Sequence, residues 1–144
     1  VADLVNELAD WLVPRAGLRS SAPFDLFTHA IEESAATPQH SPLYSVLTQY
    51  GGAPLPSTPV RTVALQVKTV GPVTIEAMAR AQLLHDKLLQ QRVGDDAATL
   101  VRNEALPSFF IFGIANLRPP GLVGRDGQRR AEVVFNFECI YRAL

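Results

Sequence analysis

The sequence predicts an α+β domain: an antiparallel or mixed β-sheet with two helices packed on one of its faces, long loops and a long C-terminal hairpin. Three observations carry this reading. Apolar residues recur at helical spacing in two stretches, they alternate at period two in others, and only the second helical stretch separates strands with enough chain for a parallel crossover. A doubly wound sheet needs several such crossovers, so helices and strands segregate here. The chain has 144 residues, with no repeat, low-complexity tract or linker, and reads as a single domain over residues 1–144.

Over residues 3–13, Leu4, Leu8, Trp11 and Leu12 line one helix face, with Asp3 as N-cap and Pro14 followed by Gly17 ending the run. Residues 25–31 fit a short strand through Leu26, Phe27 and Ile31. Residues 32–42 have a loop's composition, and residues 43–50 form a strand that buries Tyr44, Val46 and Leu47. The segment 51–59, with Gly51, Gly52 and three prolines, is expected to break regular structure, because proline cannot donate to a ladder and glycine loses most entropy on ordering.

From Val60 the period becomes clear. Val63, Leu65 and Val67 alternate with Thr62, Ala64, Gln66 and Lys68, as in a strand with one buried face. A helix over 74–92 follows, its stripe formed by Ile75, Met78, Ala81, Leu84, Leu88 and Leu89 and its end set by Gly94-Asp95-Asp96. Residues 109–117 are apolar on both faces, which predicts a central strand covered on both sides. Residues 131–141 place Val133, Phe135, Phe137, Cys139 and Tyr141 on one face and Glu132, Asn136 and Glu138 on the other. These last two strands form an antiparallel pair, and Asp126-Gly127 marks a turn in the long tip between them.

Candidates for chemistry are few. His29 and His40 fall in a short strand and a loop, and His85 reads as a helix residue at the edge of the apolar stripe rather than a general base. Cys139, the single cysteine, lies on the apolar face of its strand, where a thiol is buried and inert; it allows no internal disulfide. The pairs Glu32-Glu33 and Asp95-Asp96 read as caps and solvated surface. Gly121 to Gly124 lacks the spacing and the Lys-Ser/Thr ending of a phosphate loop. No catalytic residue, metal or other cofactor is implied. The longest apolar run, 109–115, is far short of the roughly 20 residues a membrane span needs, and the acidic N-terminus does not resemble an export signal, so no membrane partner is expected.

Charge is uneven. The chain carries a net −1, yet residues 118–130 hold Arg118, Arg125, Arg129 and Arg130 against Asp126 alone, while residues 1–117 hold 8 basic and 11 acidic residues. A basic tip on an acidic body suits a polyanion or the acidic face of a neighbouring copy. A strand apolar on both faces, with helices for one side only, also points to self-association.

Tyr50-Gly-Gly-Ala-Pro54, Val63-Ala-Leu-Gln-Val-Lys68, the helix beginning Glu76-Ala-Met-Ala-Arg-Ala81, and Gly124-Arg-Asp-Gly127 followed by Val133-Val-Phe-Asn-Phe-Glu138 together resemble the minor capsid and tail terminator proteins of long-tailed bacteriophages. The resemblance covers most of the chain. It implies a non-enzymatic virion protein at the head–tail junction, made in the bacterial host cytoplasm. A ring of six copies would cap the tail tube protein, stop tube growth and face the head-side connector protein, with DNA passing through the lumen without sequence-specific contacts. On this reading the partner-contacting loops are residues 50–59 and 118–130, with Tyr50, Gly51, Gly52, Pro54, Pro56, Arg118, Arg125, Asp126, Arg129 and Arg130 as contact residues. Two other readings stand beside it: a head-completion or connector protein of the same particle, and a small α+β enzyme or ligand-binding domain with a polar-lined pocket. A nucleic-acid-binding module ranks last, because the charge is near neutral and aromatic and basic residues do not interleave.

Overall fold

The structure, a computed structural model, describes residues 3–19, 23–28, 40–53, 59–90 and 99–144. Helix α1 (Leu4–Arg15) begins at the expected cap: the Asp3 carboxylate accepts from the backbone N–H groups of Val5 and Asn6, satisfying donors that the first turn leaves open. It buries Leu4, Val5, Leu8, Ala9 and Leu12. The helix runs through Pro14, which the sequence places at its end. Closure comes later, where Gly17 at φ +67 donates to the Pro14 carbonyl and Leu18 donates to that of Val13.

Strand β1 (Phe24–Thr28) pairs in parallel with β2 (His40–Ala53), which pairs antiparallel with β3 (Arg61–Gly71). Ile31 and residues 54–58, including Pro54 and Pro56, lie outside the described residues. Strand β2 extends at both ends into sequence expected to be loop. Pro42 is tolerated because it falls where the β1–β2 register breaks, between the Phe24–His40 and Leu26–Ser45 pairs, and before the β3 ladder begins at Tyr44. Gly51 and Gly52 face Ala64 and Val63 of β3, in a stretch beyond the last β1 pair at Leu47.

Helix α2 (Thr74–Lys87) stops short of the expected residue 92. Leu88 stays fully buried as its C-cap, and Leu89 is taken into a small antiparallel pair, β4 (Leu89–Gln90) with β5 (Thr99–Leu100), facing Leu100. Ile75, expected in the buried stripe, is 79% exposed; the buried face is Ala77, Ala81 and Leu84. Strands β6 (Arg102–Ala105), β7 (Phe109–Ala115), β8 (Gly121–Arg125) and β9 (Ala131–Ala143) complete the chain. The antiparallel pairing of β7 with β9 is as expected, but β8 arises within sequence read as a loop.

These strands form one mixed sheet of order β1-β2-β3-β9-β7-β6. Strand β3 occupies one edge of β9 along nearly its whole length, so β7, opposite Glu138 to Ala143, and β8, opposite Ala131 to Val134, share the other edge. The central strand is therefore β9. Strand β7 lies between β9 and β6, and only its Ile111 and Ile114 are fully buried, so its apolar second face is not covered as the sequence predicts.

Both helices lie on one face, as the class requires. There Val63, Leu65 and Val67 of β3 and Val133, Phe135, Phe137 and Cys139 of β9 form one core with the buried residues of α1 and α2. Phe135 and Phe137 are stacked with ring centroids 6.1 Å apart, and burial of each contributes about 2–3 kcal/mol. On the opposite face, among the described residues, Tyr44, Val46 and Val70 form a small cluster with Phe27 against it. No described helix is long and apolar enough to cross a membrane.

Two polar devices are buried on the helix side. Ser45 and Thr69, directly opposite each other in the ladder, share a 2.8 Å hydroxyl hydrogen bond. Asp25 accepts from the Ser41 hydroxyl at 2.8 Å and the Arg19 backbone N–H at 2.9 Å, and lies 3.8 Å from the Arg80 guanidinium of α2. It thus ties the segment after α1, the start of β2 and α2 to one carboxylate.

Candidate interaction surface

The turn between β8 and β9 is built around Asp126, as its sequence predicts. Its carboxylate accepts from the backbone N–H groups of Gln128 and Arg130 and from Nε of Arg130, at 2.8–2.9 Å. The backbone N–H of Arg130 is the main reason the Asp126 pKa lies below its ordinary value, so the turn holds a carboxylate. The Arg130 guanidinium also stands over the Tyr44 ring at 5.7 Å, so this arginine is engaged within the fold. Arg125 donates to the Arg129 carbonyl and to the Thr74 hydroxyl, which fastens the hairpin to the start of α2. Arg118 and Arg129 are exposed, and neither has a carboxylate within ion-pair reach among the described residues. Of the four arginines, Arg118 and Arg129 therefore leave their charge most open to a partner.

Apolar exposure follows a pattern that sequence reasoning missed. Three strands carry an extra residue where the register shifts: Tyr50 in β2, Phe112 in β7 and Val123 in β8. Each is a large apolar or aromatic side chain, and their exposures are 58%, 37% and 63%. A bulge sets two residues against one and re-aims a side chain, which takes these residues out of the period-two alternation. In β8 the bulge adjoins Gly124, whose φ of +150 suits a residue without a Cβ. Leu122 beside it is 52% exposed, and Val73 and Ile75, flanking the Thr74 that Arg125 binds, are exposed as well. The available signal was adjacent apolar residues bracketed by glycines, Gly121-Leu-Val-Gly124, inside a presumed loop.

The structure thus brings Arg125, Asp126, Arg129 and Arg130 together at the β8–β9 turn, whereas Arg118, whose backbone N–H donates to the Asn136 carbonyl, precedes β8 at the end away from that turn. Tyr50, Gly51 and Gly52 sit on a different strand: Gly51 and Gly52, expected to break regular structure, pair with Ala64 and Val63 of β3, and Tyr50, the last residue of the expected strand, is the unpaired bulge residue before them. A groove of about 460 Å³ lies between α1 and β1, bordered by Ala9, Asp10, Val13, Phe24, Phe27 and Thr28 among others.

The residues weighed for catalysis have ordinary surroundings. The Cys139 thiol is fully buried, and desolvation pushes its pKa up to about 12, so it is not a ready nucleophile. The His85 ring packs edge-on against Phe135 at 5.7 Å and meets the Asp86 carboxylate at 2.9 Å; that hydrogen bond is the main cause of the lowered Asp86 pKa. His29, Glu32, Glu33, Asp95 and Asp96 lie outside the described residues. Among the described residues no group of three or more His, Cys, Asp or Glu side chains is placed to hold a metal ion. No family model matches the chain, and no curated protein matches it.

Proposed function

We propose that this chain is a structural assembly protein of the tail-terminator kind, forming a ring that caps a phage tail tube and joins it to the head-side connector. The observation that carries the reading is the set of three bulges, which place Tyr50, Phe112 and Val123 outward on three strands of one sheet whose helices cover a single face. Each exposed large apolar residue is a solubility cost for a lone subunit, and several on one sheet fit a surface completed by neighbours. The arginine-bearing hairpin adds a second kind of contact. Arg118 and Arg129 offer cations to an acidic neighbouring surface or, without reading sequence, to the phosphates of DNA in a lumen.

The motifs Tyr50-Gly-Gly-Ala-Pro54 and Gly124-Arg-Asp-Gly127 supply the link to long-tailed phages, and the size of one α+β domain per subunit agrees with it. On this reading the protein acts by geometry rather than by bond-making, and its site is an interface. Negative-stain imaging of concentrated protein tests it. Closed rings with an open centre are expected; particles that are only compact single subunits or two-fold pairs refute the ring.

A further inference from the structure

Strands β7 and β8 lie end to end along one edge of β9, and between them the Arg118 backbone N–H donates to the Asn136 carbonyl. Outside β7 stands β6, from the Arg102–Gly113 pair to the Ala105–Phe110 pair. Outside β8 no strand stands among the described residues, and the backbone of residues 121–125 bonds to β9 alone. The sheet therefore has an open edge in line with β6, about 17 Å long for the five residues of β8. Both ends of that edge and the strands in line with it belong to the continuous stretch 99–144.

An open edge presents a row of backbone donors and acceptors, which another extended segment satisfies; phosphates offer acceptors only. A Cβ at Gly121 or Gly124 would meet nothing within 4 Å, so a neighbour can approach closely. Leu122 and Arg125 pair with Val133 and Ala131 of the helix-side core, so both side chains stand on that face, and the bulge at Val123 makes them successive there. An incoming strand thus meets an apolar residue and then a cation. Arg118 precedes the edge and Arg129 follows it, both exposed and without a carboxylate in ion-pair reach among the described residues. The carboxylates nearby in sequence are engaged: Asp126 by Arg130, Glu132 by Lys68 at 4.0 Å, and Glu138 by the Asn116 amide at 2.8 Å. Glu76, in the first turn of α2, is the exposed exception.

Charge decides between occupants. A second copy related by a two-fold axis would pair its own β8 antiparallel, which sets Arg118 of each copy near the Arg125–Arg129 end of the other, cation to cation. The chain's other sheet ends fit no better: Asp25 of β1 is already held by Ser41, Arg19 and Arg80, and β6 carries Arg102 along with Glu104. We propose that β8 is the docking edge for an extended acidic segment of a different protein, which adds a strand beside β8 with an apolar side chain against Leu122 and carboxylates toward Arg118, Arg125 and Arg129. The inference goes beyond the ring reading and does not depend on it.

The probe is the fluorescein-labelled peptide Glu-Glu-Thr-Val-Thr-Val-Glu-Glu, compared with one carrying lysine for every glutamate and one carrying two prolines for the central Val-Thr pair. Fluorescence anisotropy is expected to show saturable binding of the acidic peptide below roughly 1 mM, and binding at least about 10-fold weaker for either control and for the Arg118→Glu/Arg129→Glu variant. Both substitutions sit at exposed positions outside the Arg125–Thr74 bond, and circular dichroism checks the fold; Leu122→Glu, with the same expected loss, serves should the double variant not fold. Hydrogen exchange read by mass spectrometry should show residues 121–125 protected by the acidic peptide. No binding of that peptide, equal binding of either control, or binding without protection of residues 121–125 overturns the proposal. Protection that rises with protein concentration alone gives the edge to a second copy, and binding of oligothymidylate in place of the peptide gives the arginines to phosphate; either result overturns it too.

Discussion

Replacing Asp25 with alanine should cost about 3–5 kcal/mol, the range for removing one partner of a buried charge pair. Asp25 is 8% exposed and accepts two direct hydrogen bonds, from Ser41 Oγ at 2.8 Å and Arg19 N–H at 2.9 Å. Hydrogen bonds to a charged group contribute about 1.5–3 kcal/mol each, so the two together give about 3–6 kcal/mol, which spans that range before counting Arg80. The Arg80 guanidinium, 3.8 Å away, has a buried Nη1 with no hydrogen-bond partner, so the carboxylate is its charge compensation on this side. At about 3 °C per kcal/mol for a chain of this size, the melting temperature falls by about 9–15 °C. Urea unfolding followed by circular dichroism measures this, with an unchanged m-value if the denatured state is unaffected. The double variant Asp25→Ala/Arg80→Met should be more stable than Asp25→Ala alone, because it leaves no unpaired charge buried. An Asp25→Ala variant within about 1 kcal/mol of wild type, or a double variant less stable than the single, refutes the reasoning.

Three further outcomes are expected. Phe135→Ala should destabilise by about 3–5 kcal/mol in the same assay, since the ring is 1% exposed and packs against both Phe137 and His85. Cys139 binds its proton more tightly folded than unfolded, so its contribution is constant below the unfolded pKa near 9.0 and falls by about 1.4 kcal/mol per pH unit up to about 12; the stability difference between wild type and Cys139→Ala across that window should show the slope, and parallel curves would contradict it. Asp126 has the opposite sign: its lowered pKa supports the turn above the ordinary aspartate range and loses that support as pH falls through the folded value, so amide exchange at Gln128 and Arg130, read by NMR and corrected for intrinsic rates, should lose protection on acidification and in Asp126→Ala at neutral pH.

Where one face of a strand is buried and the other is not, the alternation in the sequence is enough, and β3 and β9 follow it nearly residue by residue. The Asp3 cap, the Asp126 turn and the burial of Cys139 were legible for a similar reason: each depends on neighbours close in sequence or on a period. What was not legible depends on pairings between distant residues. Helix α2 ends at Lys87 because Leu89 finds Leu100, and the apolar run at Phe109, though paired on both sides, keeps Phe112 exposed because a bulge in its pairing with β9 re-aims that residue. Ile75 joins the expected stripe only through successive three-residue steps, which drift around the helix; at about 100° per residue it stands nearly opposite Ala77 and Leu84, the face that is buried, and is exposed. The candidate surface was half legible. The arginines are visible as a charge cluster, whereas Tyr50, Phe112 and Val123 are placed by bulges, which depend on the partner strand's register and leave no local mark in the sequence. Asp25 drew no attention in the sequence, because its partners Arg19, Ser41 and Arg80 come from three separate segments.

The solution mass by light scattering, taken over a wide range of protein concentration, tests the ring most directly. A ring requires a rise from the 15.7 kDa subunit to a plateau near six times that mass, with no further growth. A mass that never leaves the single subunit, or that stops at two copies, contradicts it.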